Sequence, residues 1–196
     1  MNSHKIKISS LIIALLLSSA MGLLAQQSAI YDDNELNYRK AVELFIKEKY
    51  GTAKELFDEV LASEKNIHSD VEANAEYYAA ICAIKLFHDD AEYRLETFVE
   101  EHGESPKVGN AYFEMAKYQY YKRRYRSAID WFEQVDSYDL KNEDLAEYYF
   151  KFGYSYFQQE DYKNAKNLLS QVSGVDNKYQ SPSTYYIGHI DYVKEN

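Results

Sequence analysis

Four alanines recur almost in phase along the chain, Ala53, Ala91, Ala128 and Ala165, at spacings of 38, 37 and 37 residues. Their neighbours recur with them: Tyr50, Phe57 and Val60 around the first, Tyr125, Phe132 and Val135 around the third, Tyr162, Leu169 and Val172 around the fourth. The copy at Ala91 keeps Leu95 and Phe98 but is led by His88. Steps of three and four residues put each set on one face of a helix. A short amphipathic helix cannot bury its apolar face alone, so self-similarity at this period predicts helical units stacked on one another.

The stretch Glu147 to Val172 shows the unit most clearly. Tyr149, Phe152, Gly153 and Tyr156 share one helical face, Glu160 and Asp161 interrupt the pattern, and Tyr162, Ala165, Leu169 and Val172 resume it. Two amphipathic helices joined by a tight turn follow. A small residue recurs in the first helix of each pair as Ala41, Ala79, Ala116, Gly153 and Gly188. Glycine inside a helix costs about 1 kcal/mol relative to alanine, so Gly153 predicts a neighbouring helix in close approach.

A small residue in the first helix, an aromatic opening the second, then Ala followed four residues later by Phe or Leu, resembles the tetratricopeptide repeat (TPR) pattern. That repeat is about 34 residues long. Here the period is longer by about one helical turn, assigned to connections at Ser63–Asn66 and Ser137–Leu140. Tyr112 and Tyr149 stand in place of the usual early Trp, and the repeat-ending Pro is absent. The resemblance implies an all-α fold, a right-handed superhelical α-solenoid of antiparallel helix pairs. It would hold about four repeats (34–66, 70–103, 106–138, 142–174) and a half repeat (181–196), within one domain over 34–196. No period-two strand pattern is present.

Met1 to Ala25 is different in kind. His4, Lys5 and Lys7 precede the aliphatic run Leu11–Leu17 and the small, apolar Ser18–Leu24. This is the plan of a secretory signal peptide over 1–25, cleaved after Ala25, with a disordered lead-in over 26–33. The apolar run is short against the roughly 20 residues of a membrane-spanning helix, so no stable span is expected after cleavage. Export, into the periplasm of a Gram-negative cell and otherwise by secretion, is the expected localisation. No cysteine lies near the cleavage point, which removes the lipid anchor of bacterial lipoproteins. Without Lys5 and Lys7, 20 of the 22 basic residues face 32 acidic ones, a net charge near −12. Such a surface repels phosphate backbones, so nucleic acid is not an expected partner. Cys82 is read as a small buried apolar residue.

Capping residues divide the array further. Asp33 or Asn34 is expected to cap the first helix, Ser69 or Asp70 the third and Asn142 the seventh. Ser105–Pro106 and Ser181–Pro182 read as N-caps with proline at the first helical position. Asn66, Gly103 and Gly174 read as helix ends. The last helix, from Pro182 onward, is apolar on more than one face through Tyr185, Tyr186, Ile187, Ile190, Tyr192 and Val193. A terminal helix of a solenoid needs a polar outer face. Either the array continues or another molecule covers this helix, so self-association through the half repeat is expected.

In TPR arrays the first helices line the concave surface, where peptides bind. The resemblance carries this onto Tyr38, Val42 and Phe45, then Glu76, Ala80 and Ala83. It continues through the main candidate groove: Phe113, Lys117, Tyr120 and Tyr121; Phe150, Tyr154, Phe157 and Gln158; Tyr185, His189 and Tyr192. Tyrosine offers large contact area, few rotors and a hydroxyl. A protein or peptide partner in the cell envelope, a glycan stacked on the same rings, or a structural spacer without ligand are the three readings. The carboxylate clamp of co-chaperone TPR domains is absent, since Tyr38, Val42, Glu76 and Ala80 hold its places; this argues against an acidic tail as ligand. Lys122, Arg123, Arg124 and Arg126 read as a solvated turn. His4, His68, His88, His102 and His189 share no metal-ligand spacing, no glycine-rich phosphate loop or nucleophile elbow occurs, and neither an enzyme nor a cofactor is expected.

Overall fold

A computed structural model describes residues 34–63 and 69–195. The leader expected over 1–25, the lead-in over 26–33 and the helix end expected at Asn66 lie outside them. Among the described residues every regular element is helical: α1 (34–46), α2 (Tyr50–Ala62), α3 (Ser69–Leu86), α4 (Ala91–Glu101), α5 (Val108–Tyr121), α6 (Tyr125–Phe132), a 3-10 turn (Ser137–Asp139), α7 (Asn142–Gln158), α8 (Tyr162–Ser173) and α9 (Gln180–Glu195). None of these helices is long and apolar enough to cross a membrane. The contacts divide the chain into two compact units, one ending at Ala79 and one starting at Ala80, within α3.

In the first unit Ala41, Ala53, Phe57, Val60 and Ala75 are buried. Tyr78 stacks on Phe57 at 5.5 Å and meets Phe45 at 4.8 Å, and Tyr38 meets Phe57 edge-on at 6.0 Å. Asn34 does not cap α1 but donates from Nδ2 to Ser63 Oγ at 2.7 Å.

Two hydrophobic clusters of the described residues lie in the second unit. One gathers Phe113, Ala116, Ala128, Phe132, Tyr148 and Phe152; the other gathers Phe150, Ala165, Leu169 and Ile190. The in-phase alanines at 53, 91, 128 and 165 are all fully buried. Gly153 behaves as its position in the helix demands: a Cβ there would stand 2.9 Å from Leu169 Cγ and 3.1 Å from the Leu169 backbone nitrogen. α8 therefore crosses α7 too closely here for a side chain to enter without displacing it. Gly188 does not share that role. It is exposed with nothing within 4 Å. The reason is register: Gly188 follows Gly153 by 35 residues where the later alanines recur at 37, so a full step from Gly153 lands on Ile190, which packs with Leu169.

The turns within the pairs share one geometry that the sequence hides. Glu48, Phe87, Arg123 and Glu160 adopt left-handed backbone, with φ of 57°, 55°, 58° and 61°. At Glu160 the amide of Asp161 donates to Tyr156 O and that of Glu160 to Phe157 O, both at 3.0 Å; the same two bonds recur at the other three turns. This is the Schellman ending, usually built on glycine. Gly103 and Gly174 have no such backbone, and Gly174 caps the end of α8, as expected, without it.

Ser69 and Asp70, expected to cap α3, are already helical, and three more caps differ from expectation by local geometry. α5 begins at Val108, preceded by Lys107, because Ser105 closes a turn of its own through Val108 N to Ser105 O at 3.1 Å. α9 already includes Ser181 and Pro182, its entry being fixed by Asn177 Oδ1 accepting from Tyr179 N at 2.8 Å. Asn142 is the first helical residue of α7 rather than its cap. Asp161 does cap α8, accepting from Asn164 N at 3.1 Å.

Candidate functional site

Within the second unit the aromatic positions of α5, α7 and α9 converge. Tyr120 meets Tyr154 at 5.7 Å, Tyr154 meets Tyr186 at 5.0 Å, Tyr186 meets Phe157 at 4.9 Å and Phe157 meets His189 at 5.4 Å. Tyr125, which opens α6, joins Tyr120 and Tyr154 at 5.9 and 5.7 Å. Most of these pairs are edge-to-face or tilted, the arrangement that the ring quadrupole favours. The rings thus form one continuous, half-buried array across three first helices.

Burial makes Tyr120 and Tyr186 reluctant to ionise. Tyr120 is held well above the ordinary tyrosine range, first by burial and then by the neighbouring Tyr154 and Tyr125. Tyr186 is pushed up to about 12 by burial and by Tyr154. The Tyr120 and Tyr186 hydroxyls are therefore neutral donors and acceptors at physiological pH.

The candidate groove residues divide into three groups. Tyr120, Tyr154 and Phe157 belong to the array, and Tyr121, Gln158, Tyr185, His189 and Tyr192 are exposed, with Tyr121, Tyr185 and Tyr192 at 58%, 67% and 68%. Phe113 and Phe150 are corrections: each is a core residue, Phe113 against Phe132 and Tyr148, Phe150 stacked on Tyr179 at 5.0 Å. Their rings are consumed by packing between consecutive hairpins. Ala80 and Ala83 are likewise fully buried. Lys117 is buried over the Phe113 ring at 4.2 Å, with Nζ bonded to Glu114 at 2.8 Å.

The residue that fixes the exposed edge of this surface was not singled out in the sequence. Lys151, almost fully buried in α7, donates to Tyr121 Oη at 2.7 Å and to Glu147, and stands 4.1 Å from the Tyr121 ring centre. Burial alone would raise the Glu147 carboxyl, but Lys151 outweighs it and holds the group below the usual range. An exposed tyrosine held by an ion pair loses little rotamer freedom on binding. The only sequence signal was the i,i+4 spacing of Glu147 and Lys151, which ordinarily marks a solvated pair.

The basic turn after α5 is engaged locally. Arg124 and Lys122 reach Glu92 at 2.7 and 3.3 Å, consistent with a structural role. Cys82 is fully buried.

No protein-family model matches the chain, and no curated protein matches it. Among solved structures, a variant of MamA is similar with a TM-score of 0.60 at 14% identity, covering 81% of this chain and 90% of that one. Likeness at this identity shows the fold: the chain is an all-α, TPR-like helical-repeat solenoid.

Proposed function

We propose that the chain is a non-enzymatic, exported interaction scaffold in which α5, α7 and α9 present aromatic side chains to a peptide or protein segment. The observation that carries this is the continuous ring array from Tyr120 to His189, edged by exposed Tyr121, Tyr185 and Tyr192. Tyr121 and Tyr185 join the array through Tyr120 and Tyr186, and exposed aromatic residues clustered in this way are what protein-binding surfaces concentrate. The TPR-like fold supports the same reading, since the family's first helices commonly hold peptides.

Panning a random peptide display library and probing a glycan array with the full chain separates peptide from sugar. Selected peptides whose binding is lost in Tyr121→Ala and Tyr185→Ala support the proposal. Saturable sugar binding lost in the same variants, with no peptide selected, would replace it. Export is tested by the N-terminus of the protein recovered from cells: Gln26 is expected, and an intact leader in the cytosol would contradict it. Self-association through α9 is expected to appear in sedimentation as a concentration-dependent species that Tyr192→Glu abolishes.

A further inference from the structure

A second feature lies beside the array and is chemically distinct from it. Ile84, Lys85 and Phe87 from the end of α3 and the turn after it, Glu114, Lys117, Tyr118 and Tyr121 from α5, and Glu147 from α7 line a half-open cavity of about 200 Å³. One wall is apolar and aromatic. Phe87 and Tyr118 stack at 5.5 Å, and Tyr121 is held in place by Lys151.

The other wall is charged and unequal in sign. Lys85 and Lys117 share the single carboxylate of Glu114 at 2.7 and 2.8 Å. Burial would raise Glu114, yet the two lysines hold it below the usual carboxylate range, so it is anionic at neutral pH. Glu147 is matched by Lys151, and both Lys117 and Lys178 add to the positive field around it. Two lysines and two glutamates line the cavity, and Lys151, which bonds Glu147 and Tyr121, brings the local count to three ammonium groups against two carboxylates, in a chain whose net charge is −10. Each ammonium carries three donors, while Lys85 and Lys117 each spend one on Glu114, which leaves capacity for a second acceptor.

We infer that this cavity binds a small organic carboxylate with an apolar body, its acid group held by Lys85 and Lys117 and its body lying against Phe87, Tyr118 and Tyr121. The charge excess selects an anion, and the aromatic wall selects one that is not simply an inorganic ion. The positions differ from those of a co-chaperone carboxylate clamp, which the first repeats lack. The inference stands apart from the peptide reading, because a free acid is sufficient to test it.

The test is isothermal titration of the full chain with three probes of one shape, 3-phenylpropionate, 3-phenylpropan-1-ol and 3-phenylpropylamine. The acid is expected to bind saturably and at least about tenfold tighter than the alcohol, as charge-assisted hydrogen bonds require, with the amine weakest. Lys117→Met keeps the buried stem and removes the charge; Lys85→Met removes the charge at a side chain that is 33% exposed and so leaves the fold intact. Each is expected to bring the acid's affinity toward that of the alcohol while leaving the alcohol's unchanged. Absence of saturable acid binding, equal affinity for the three probes, preference for the amine, or acid binding unchanged in both variants would each overturn the inference.

Discussion

The hairpin α7–α8 and the lone helix α9 carry the same kinds of residue and use them differently. In α7 the glycine at 153 is where α8 crosses, with Leu168 and Leu169 against its backbone; in α9 the glycine at 188 faces open space. The fully buried apolar residue of α9 is Ile190, which lies in the core with Leu169. A glycine repeated by type is therefore not a glycine repeated by role. What is conserved between the two hairpin contacts is the pairing of a large apolar residue on the second helix with one on the following first helix.

The largest expected effect probes that pairing. Ile190→Ala removes a fully buried side chain, and a loss of about 2–4 kcal/mol is expected in urea denaturation; a loss under 1 kcal/mol would mean that α9 is not anchored through it. Next, Gly153→Ala should destabilise by about 1–3 kcal/mol, because overpacking against Leu169 outweighs the gain in helix propensity. The same change at Gly188 should act in the opposite sense, stabilising by about 0.5–1 kcal/mol, so equal signs for the two would erase the contrast between α7 and α9. The smallest effect is at the turns: Glu160→Gly, at a φ of 61°, should raise the melting temperature modestly, by about 0.5–1 kcal/mol in stability after the entropy cost of glycine. No gain would mean that the left-handed residue costs nothing there.

The sequence revealed the repeat because burial is periodic: an alanine that must sit under a crossing helix leaves its mark at every pass, as Ala53, Ala91, Ala128 and Ala165 do. The turns were harder to read, since the left-handed positions hold Glu, Phe, Arg and Glu in place of glycine. Ser105–Pro106 misled because serine also closes turns outside a helix. In the candidate surface, the family resemblance put Tyr120, Tyr121, Tyr154 and Phe157 on the first helices, but register alone does not say which ring the next hairpin covers, and Phe113 and Phe150 are covered. Lys151 and Glu114 escaped notice because a charged residue in an amphipathic helix ordinarily marks the solvated face, whereas here their partners come with them into the interior.

The claim on which the account rests is that consecutive hairpins lean on one another through equivalent contacts, and a pair of double-mutant cycles tests it directly. One cycle combines Phe132→Ala with Phe152→Ala, whose rings stack at 5.2 Å; the other combines Leu169→Ala with Ile190→Ala. Both are expected to return coupling energies of about 1 kcal/mol or more. Coupling at the first site and none at the second would contradict the account, leaving α9 an appendage and not the next step of the repeat.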